Sequence, residues 1–250
     1  MNSPRTALSP LTHSLPIVSL LLTPTPSPSH TRGTVQCMST SSTTSFLESS
    51  KYTTPGLRGA HAYLLPTLLG LATGLPPNAR ILDIGCGNGS IASEFSRRGF
   101  SVVGIDLSEA GVNIARQSCP AGRFEVLAAD RNILANLNEQ PFDLVYSAEV
   151  VEHLYNPRSF MAGCLAATKP HGRFICTTPY HGYLKNLAIA LAGGWDRHVD
   201  SLYDGGHIKF FSRKTLSTLI TEAGFQNLHF HGSGRYPYLW KSMVFDCTRP

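Results

Sequence analysis

At 250 residues and 42% hydrophobic content, the chain suits one domain with a sizeable core, and wholesale disorder is excluded. A net charge of +5 is too small to mark a nucleic-acid surface by itself, and no apolar stretch reaches the length of a membrane span. Six cysteines (37, 86, 119, 164, 176 and 247) form no C-x-x-C pair, and several fall inside predicted strands or helices, the pattern of reduced thiols in a cytoplasmic-type compartment.

Residues 1–50 differ from the rest. Ser, Thr and Pro fill more than half of these positions and Glu48 is the only acid, so the segment is expected to be a disordered leader. It lacks the layout of a secretory signal. An organelle transit peptide and a true translation start at Met38 both remain open.

Residues 51–250 read as one domain. A helix is predicted over 57–72 with Pro66 inside it, and Gly74 to Pro77 stops it. The first strand is Arg80 to Ile84, followed by a glycine-rich turn and a helix ending at Arg97-Arg98-Gly99. Strand two, from Ser101, ends at Asp106. Ser108 caps a helix through Gln117, strand three is Phe124 to Leu127, and a short helix spans Ile133 to Leu137. Strand four is Phe142 to Ser147. Asn156 and Pro157 open a helix with an apolar stripe of Phe160, Met161, Cys164, Leu165 and Thr168, ended by Lys169-Pro170. Arg173 to Thr177 is strand five. From 178 to 212 the pattern breaks into an aromatic, His- and Gly-rich stretch with a helix candidate at Leu184–Leu191, read as a substrate cap. A helix from Ser212 (Leu216, Leu219, Ile220, Ala223) and a hairpin of Gln226–His231 with Trp240–Cys247 close the chain. Alternating strands and helices predict a doubly wound α/β, Rossmann-like sheet with an antiparallel edge.

The stretch Ile81-Leu82-Asp83-Ile84-Gly85-Cys86-Gly87-Asn88-Gly89-Ser90 carries the chemistry. Glycines allow positive φ and close approach of a ligand to the main chain, and the helix start beyond them offers N–H groups. The spacing is G-x-G-x-G, neither the dinucleotide fingerprint nor a phosphate loop. Asp83 beside this turn would repel a pyrophosphate and attract an ammonium. Asp106, ending the next strand, is placed to accept from ribose hydroxyls. An amino-acid head joined to a nucleoside suits both acids, and S-adenosylmethionine is such a ligand. Asp83, Asp106, Asp130 and Glu149 all follow strand ends, so they converge on one sheet edge.

On these residues the sequence from about Ala79 onward resembles the class I S-adenosylmethionine-dependent methyltransferases. The resemblance implies the strand order 3-2-1-4-5-7-6 with the last strand antiparallel. It also implies a cofactor site at Asp83, Gly85, Cys86, Gly87, Gly89, Asp106, Leu107, Asp130, Arg131 and Ala148, with Asp130 on the adenine amino group. Asp130 also suits a cap for the short helix, and Cys86 reads as a small residue that fits the turn.

Glu149-Val150-Val151-Glu152-His153 follows strand four. In a helical turn this spacing puts Glu149, Glu152 and His153 on one face, and two carboxylates beside an imidazole call for a cation or protons. The motif is similar to the metal motif of small-RNA 2′-O-methyltransferases. With a downstream His before a Lys and Phe, here His207, it is also similar to the ubiquinone-biosynthesis O-methyltransferases of the type 11/23 methyltransferase domain. Thr177-Thr178-Pro179 and the apolar helix look closer to the latter. The resemblance implies a divalent ion (Mg²⁺, Mn²⁺ or Zn²⁺) on Glu149, Glu152, His153 and His207. A metal-free site with His153 as base beside Glu149, or a structural role alone, remains open. The expected activity is O-methylation of a small aromatic or quinone-like acceptor. An RNA 3′-terminal 2′-hydroxyl is the rival acceptor, disfavoured by the weak basic balance, and a non-catalytic cofactor-binding protein is the rival class. Tyr180, His181, Trp195, His198 and Tyr203 are candidates for an acceptor-ring pocket. Helix 184–191 serves either as cap core or as contact with a membrane holding a prenylated acceptor.

Overall fold

The computed structural model describes residues 54–57, 59–199, 202 and 205–250. The expected leader, the Met38 question and Tyr203 lie outside them. Seven strands form one sheet in the order β3-β2-β1-β4-β5-β7-β6. They are β1 Arg80–Ile84, β2 Ser101–Asp106, β3 Arg123–Val126, β4 Phe142–Ala148, β5 Thr168–Pro179, β6 Gln226–Ser233 and β7 Ser242–Thr248. The β1–β2, β1–β4, β2–β3 and β4–β5 pairs are parallel, and β7 runs antiparallel to both β5 and β6. The expected order and hand of pairing are therefore present.

The helices are α1 Ala60–Leu71, α2 Ser90–Ser96, α3 Glu109–Ser118, α4 Ile133–Leu137, α5 Pro157–Ala167, α6 Tyr183–Leu191 and α7 Arg213–Glu222. Strand side chains alternate between two cores. Ile81, Leu144, Tyr146, Ile175 and Val244 pack with Leu64 and Leu68 of α1 and Phe95 of α2. Leu82, Ile84, Val145, Phe174 and Phe245 pack with Phe160 and Cys164 of α5 and Leu216 and Ile220 of α7. These strands are buried on both faces, so their sequences run apolar without alternation.

Caps fall where the side chains predict them. Ser108 Oγ accepts from Gly111 N, and Asn156 Oδ1 accepts from Ser159 N. Ser212 and Thr215 form a reciprocal capping box on α7. Most boundaries shift by up to three residues, and the largest difference is at β5. β5 begins at Thr168, not Arg173, because Phe142 pairs with Thr168 before the register shifts and Leu144 pairs with Arg173. Lys169 to Gly172 are thus absorbed into a bulged strand, with His171 at φ 60°. Thr168 leaves the predicted helical stripe and donates its hydroxyl to Cys164 O at 2.7 Å. The sheet order reverses between β1 and β4, which opens the crevice at the strands' carboxyl ends.

Candidate active site

The glycine turn is built by the β1–β2 edge. Gly85 N and Cys86 N both donate to Ile105 O, at 2.7 and 2.9 Å. Gly85 sits at φ 80°, and a Cβ there would lie 2.2 Å from Val150 Cγ2. That contact brings the segment after β4 directly against the cofactor turn. The Cys86 thiol is buried and its pKa is pushed up by desolvation and then by Asp83, so it is a packing residue and no nucleophile.

Asp106 ties the two edges together. One carboxylate oxygen accepts from Gly87 N and the other from Ser108 N, each at 2.8 Å. Leu107, next in sequence, is exposed at the strand tip, and Ala148 is buried at the end of β4. Asp130 Oδ1 accepts from Asn132 N at 2.7 Å in the turn ahead of α4, whose N-cap position is Asn132 and not Asp130, and Arg131 N donates to Ser159 Oγ.

Asp83 is the electrostatic centre of this edge. It is 2% exposed and pairs in register with Tyr146. Among the described residues no Lys, Arg or His nitrogen lies within 4.0 Å of it. Burial raises its pKa to about 7; the approach of the Tyr146 hydroxyl offsets part of that rise, and Asp106 adds to it. A carboxyl held like this lacks a counter-cation, which suits a ligand ammonium.

Beyond β4 the chain turns sharply. Glu149 adopts φ 59° and precedes a single 3₁₀ turn, Val151–His153. A non-glycine residue there costs roughly 1 kcal/mol or more. The strain is held by β5: Glu149 N approaches Thr177 O at 3.3 Å and Thr177 Oγ1 at 3.1 Å, and that hydroxyl donates to Glu149 Oε1 at 2.8 Å. Glu152 goes the other way. It is 1% exposed and accepts from Thr178 Oγ1 at 2.9 Å. Consecutive strand residues face opposite sides of a sheet, so Thr177 and Thr178 draw the two carboxylates apart. The single helical face expected for Glu149, Glu152 and His153 is not formed.

Glu152, His153 and His207 do converge. One ligand atom from each lies within 4.8 Å of the others. His153 Nε2 is 3.9 Å and His207 Nε2 4.0 Å from Glu152 Oε1, and the two rings meet edge to face with centroids 4.9 Å apart. His153 Nδ1 sits 3.0 Å from Gly206 O. A carbonyl only accepts, so Nδ1 carries a proton, and the lone pair of the ring in its neutral form is on Nε2, 3.9 Å from Glu152 Oε1. Ile208 N and Lys209 N both donate to Glu152 O, which seats His207 beside the carboxylate. Glu149 is not part of this trio.

A methyltransferase-domain family profile matches residues 57–230. The chain belongs to the methyltransferase-domain family. Its relatives include the ubiquinone biosynthesis O-methyltransferase of Dinoroseobacter shibae, 34% identical over 171 residues, covering 67% of this chain and 64% of the relative. The enzyme of the same name from Maricaulis maris is 36% identical over 123 residues, covering 46% of this chain and 48% of the relative. The chain thus spans about half to two thirds of the length of these relatives. The fold is shared with a TehB-like S-adenosylmethionine-dependent methyltransferase from Corynebacterium glutamicum (TM-score 0.53, 22% identity, 75% of this chain and 88% of that one). It is also shared with the magnesium protoporphyrin IX methyltransferase of Synechocystis (TM-score 0.56, 18% identity, 74% and 82%).

The methyltransferase domain carries partners that the motifs did not reveal. Thr177 and Thr178 orient the carboxylates, Gly206 O fixes the His153 tautomer, and Tyr63 of α1 reaches the site from the far face. Tyr63 OH lies 2.8 Å from Ser242 Oγ, and burial followed by Glu149 raises the phenol to about 12, so it stays protonated. Asn88, buried in the glycine turn, donates to Thr54 O and Gly56 O and so fastens the segment before α1 across the cofactor edge. A hydroxyl pair at the carboxyl end of a buried strand was the available signal for the threonines. Of the cap aromatics, Tyr180 packs on Trp240 and His181 on Phe210, whereas Trp195 is exposed and His198 Nδ1 lies 2.9 Å from Gly194 O. Burial, then Lys185, lowers the His181 pKa.

Proposed function

We propose that the protein transfers the methyl group of S-adenosylmethionine to a hydroxyl oxygen of a small aromatic or quinone-like acceptor. In the transfer the acceptor O–H proton leaves, the O–CH₃ bond forms as the S–CH₃ bond breaks, and the sulfonium charge collapses. The chain's part is to hold oxygen, methyl and sulfur in line and to take up or weaken the hold on the proton. The observation that carries this reading is the Glu152–His153–His207 trio, set beside the cofactor turn through the Val150–Gly85 contact. The cofactor residues proposed are those expected from the sequence, with Asp83 meeting the ammonium and Asp106 the ribose.

One carboxylate and two imidazoles fit a divalent cation, with Glu152, His153 and His207 as its ligands and Glu149 outside the set. Such an ion supplies a lowered pKa for a bound hydroxyl. Without it, His153 Nε2 is the base, its lone pair already aimed by Gly206. Chelator-treated protein with a catechol acceptor, followed by return of Mg²⁺, Mn²⁺ or Zn²⁺, separates the two. Turnover indifferent both to chelation and to His207→Ala would remove the metal.

The 178–212 stretch is proposed as the acceptor cap of a 51–250 domain. No described residue of α6 is buried, and Leu191 is 80% exposed, which favours an outward contact over a cap core. Among the described residues no helix is long and apolar enough to cross a membrane. The exposed Leu184, Leu187 and Leu191 of α6 suit contact with a bilayer that holds a prenylated acceptor. Flotation with liposomes tests this, and protein left wholly at the bottom of the gradient would remove it. The five described cysteines are all buried and unbridged, which supports a reducing, cytoplasmic-type setting.

A further inference from the structure

Asp83 has a cross-strand neighbour that neither the cofactor contacts nor the methyl transfer employ. Its register partners are Gly104 of β2 on one flank and Tyr146 of β4 on the other. Gly104 brings no side chain, so Tyr146 supplies the cross-strand side chain beside this carboxyl. Tyr146 packs with Ile81 and Leu144 on the α1 and α2 side of the sheet, and Asp83, two residues beyond Ile81, points to the same side. The Tyr146 ring lies 5.3 Å, centroid to centroid, from that of Phe95.

Tyr146 is fully buried. Its hydroxyl comes near enough to Asp83 to favour the ionised carboxyl, yet it makes no hydrogen bond of ordinary length and angle among the described residues. The other titratable groups on this side have their own partners. The Cys86 thiol donates to Gly87 O at 3.8 Å, and Asp106 accepts from Gly87 N and Ser108 N. On α1, His61 Nδ1 lies 3.1 Å from Ser90 Oγ and Tyr63 is bound to Ser242; on α2, Glu94 pairs with Arg98. The Cys119 thiol, past α3, also acts on the phenol, and a thiol is a weak acceptor.

Packing alone does not call for the phenol oxygen. A phenylalanine would keep the contact with Phe95, whereas a buried hydroxyl without a partner works against folding. Burial, and then Asp83, push the phenol's pKa well above its ordinary value, so it stays protonated. An ionised carboxylate only accepts, so the phenol is its donor. Hydrogen bonds left loose in a ligand-free site tighten when the ligand arrives, and an ammonium beside Asp83 draws out the ionised form that accepts best.

We propose that Tyr146 is a positioning residue for the cofactor: its hydroxyl donates to the Asp83 carboxylate from within the sheet and holds it ionised and turned toward the ligand ammonium. This rests on the S-adenosylmethionine reading above and adds the residue that prepares its amino-acid end.

The test is calorimetry of S-adenosylhomocysteine with the full-length wild type, Tyr146→Phe, Asp83→Asn and the double variant, from pH 6 to pH 8.5. Tyr146→Phe weakens binding about tenfold near pH 7, the worth of one charge-assisted hydrogen bond. The deficit shrinks to about threefold or less at pH 8.5, where Asp83 ionises without help. In the Asp83→Asn background the same change alters affinity by less than about twofold, because the hydroxyl acts through the carboxylate. Melting curves of cofactor-free protein at pH 5.5 place Tyr146→Phe level with wild type or above it, since no partner is lost. Wild type that binds no S-adenosylhomocysteine overturns the cofactor reading and this inference with it. Wild type that binds, with Tyr146→Phe equal to it at pH 7, overturns the inference alone. A deficit of the same size at every pH or in the Asp83→Asn background, or a lowered melting temperature, assigns the hydroxyl to the fold and overturns it likewise.

Discussion

Replacing Asp83 with Asn should change the pH dependence of stability in a defined direction. Burial pushes this carboxyl up to about 7 in the folded chain, against 3.8 for the solvent-exposed group of the unfolded chain. The native state therefore holds the proton more tightly between those values. Stability from this group is fully present below about 3.8 and is lost as pH rises through about 7. At about 1.36 kcal/mol per unit, the whole displacement is worth on the order of 4 kcal/mol, of which about 2.7 kcal/mol falls between pH 5 and pH 7. Asn cannot ionise, so the variant escapes this loss. Its melting temperature relative to wild type should climb between pH 5 and pH 8 by about 5–10 °C for a domain of this size. Scanning fluorimetry of cofactor-free protein across that range is the assay.

The same carboxyl should couple the cofactor to protons. An ammonium beside Asp83 favours the ionised form, so binding below pH 7 expels a proton. The affinity of wild type for S-adenosylhomocysteine should then rise with pH between about 5.5 and 7, approaching tenfold per unit. Asp83→Asn should bind weakly with a flat profile. A wild-type-minus-variant melting difference that stays constant from pH 5 to pH 8 would refute the buried, cation-seeking carboxyl, and with it the reason for placing the ligand's ammonium there.

Thr178→Val removes the hydroxyl that orients Glu152; divalent-ion affinity measured by calorimetry should fall about tenfold or more, with the fold retained. Glu152→Gln should abolish that binding heat, whereas Glu149→Gln should leave it near wild type and lower turnover instead, since Glu149 lies outside the trio. Gly85→Ala should destabilise the domain by about 2 kcal/mol or more in urea unfolding, because its Cβ would meet Val150 and its φ of 80° disfavours a side chain. Chelation should lower turnover of wild type but leave His207→Ala, already impaired, little changed.

Local pattern sufficed for the scaffold because each element's own residues settle its conformation. The apolar runs ending at Asp83 and Asp106, the Ser108 and Asn156 caps and the Gly-spaced turn each satisfy their backbone locally. The site was legible only as far as that logic reaches. E-x-x-E-H implies a shared helical face if residues 149–153 are helical, but the dihedrals of Glu149 are imposed by Thr177, a residue 28 positions away that supplies both an acceptor for its N–H and a donor to its carboxylate. The alternation of Thr177 and Thr178 then assigns one acid to each side of the sheet. Side-chain period and strand direction were both readable, yet which strand would lie beside Glu149 depended on the β4–β5 register, and that register carries a bulge hidden behind Lys169-Pro170. The division has a chemical consequence. Glu149, held by Thr177, acts on Tyr63 and Lys185, while Glu152, held by Thr178, faces the two imidazoles. Two carboxylates three residues apart thus serve two different partners, because a pleated strand, and not a helix, decides where each one points.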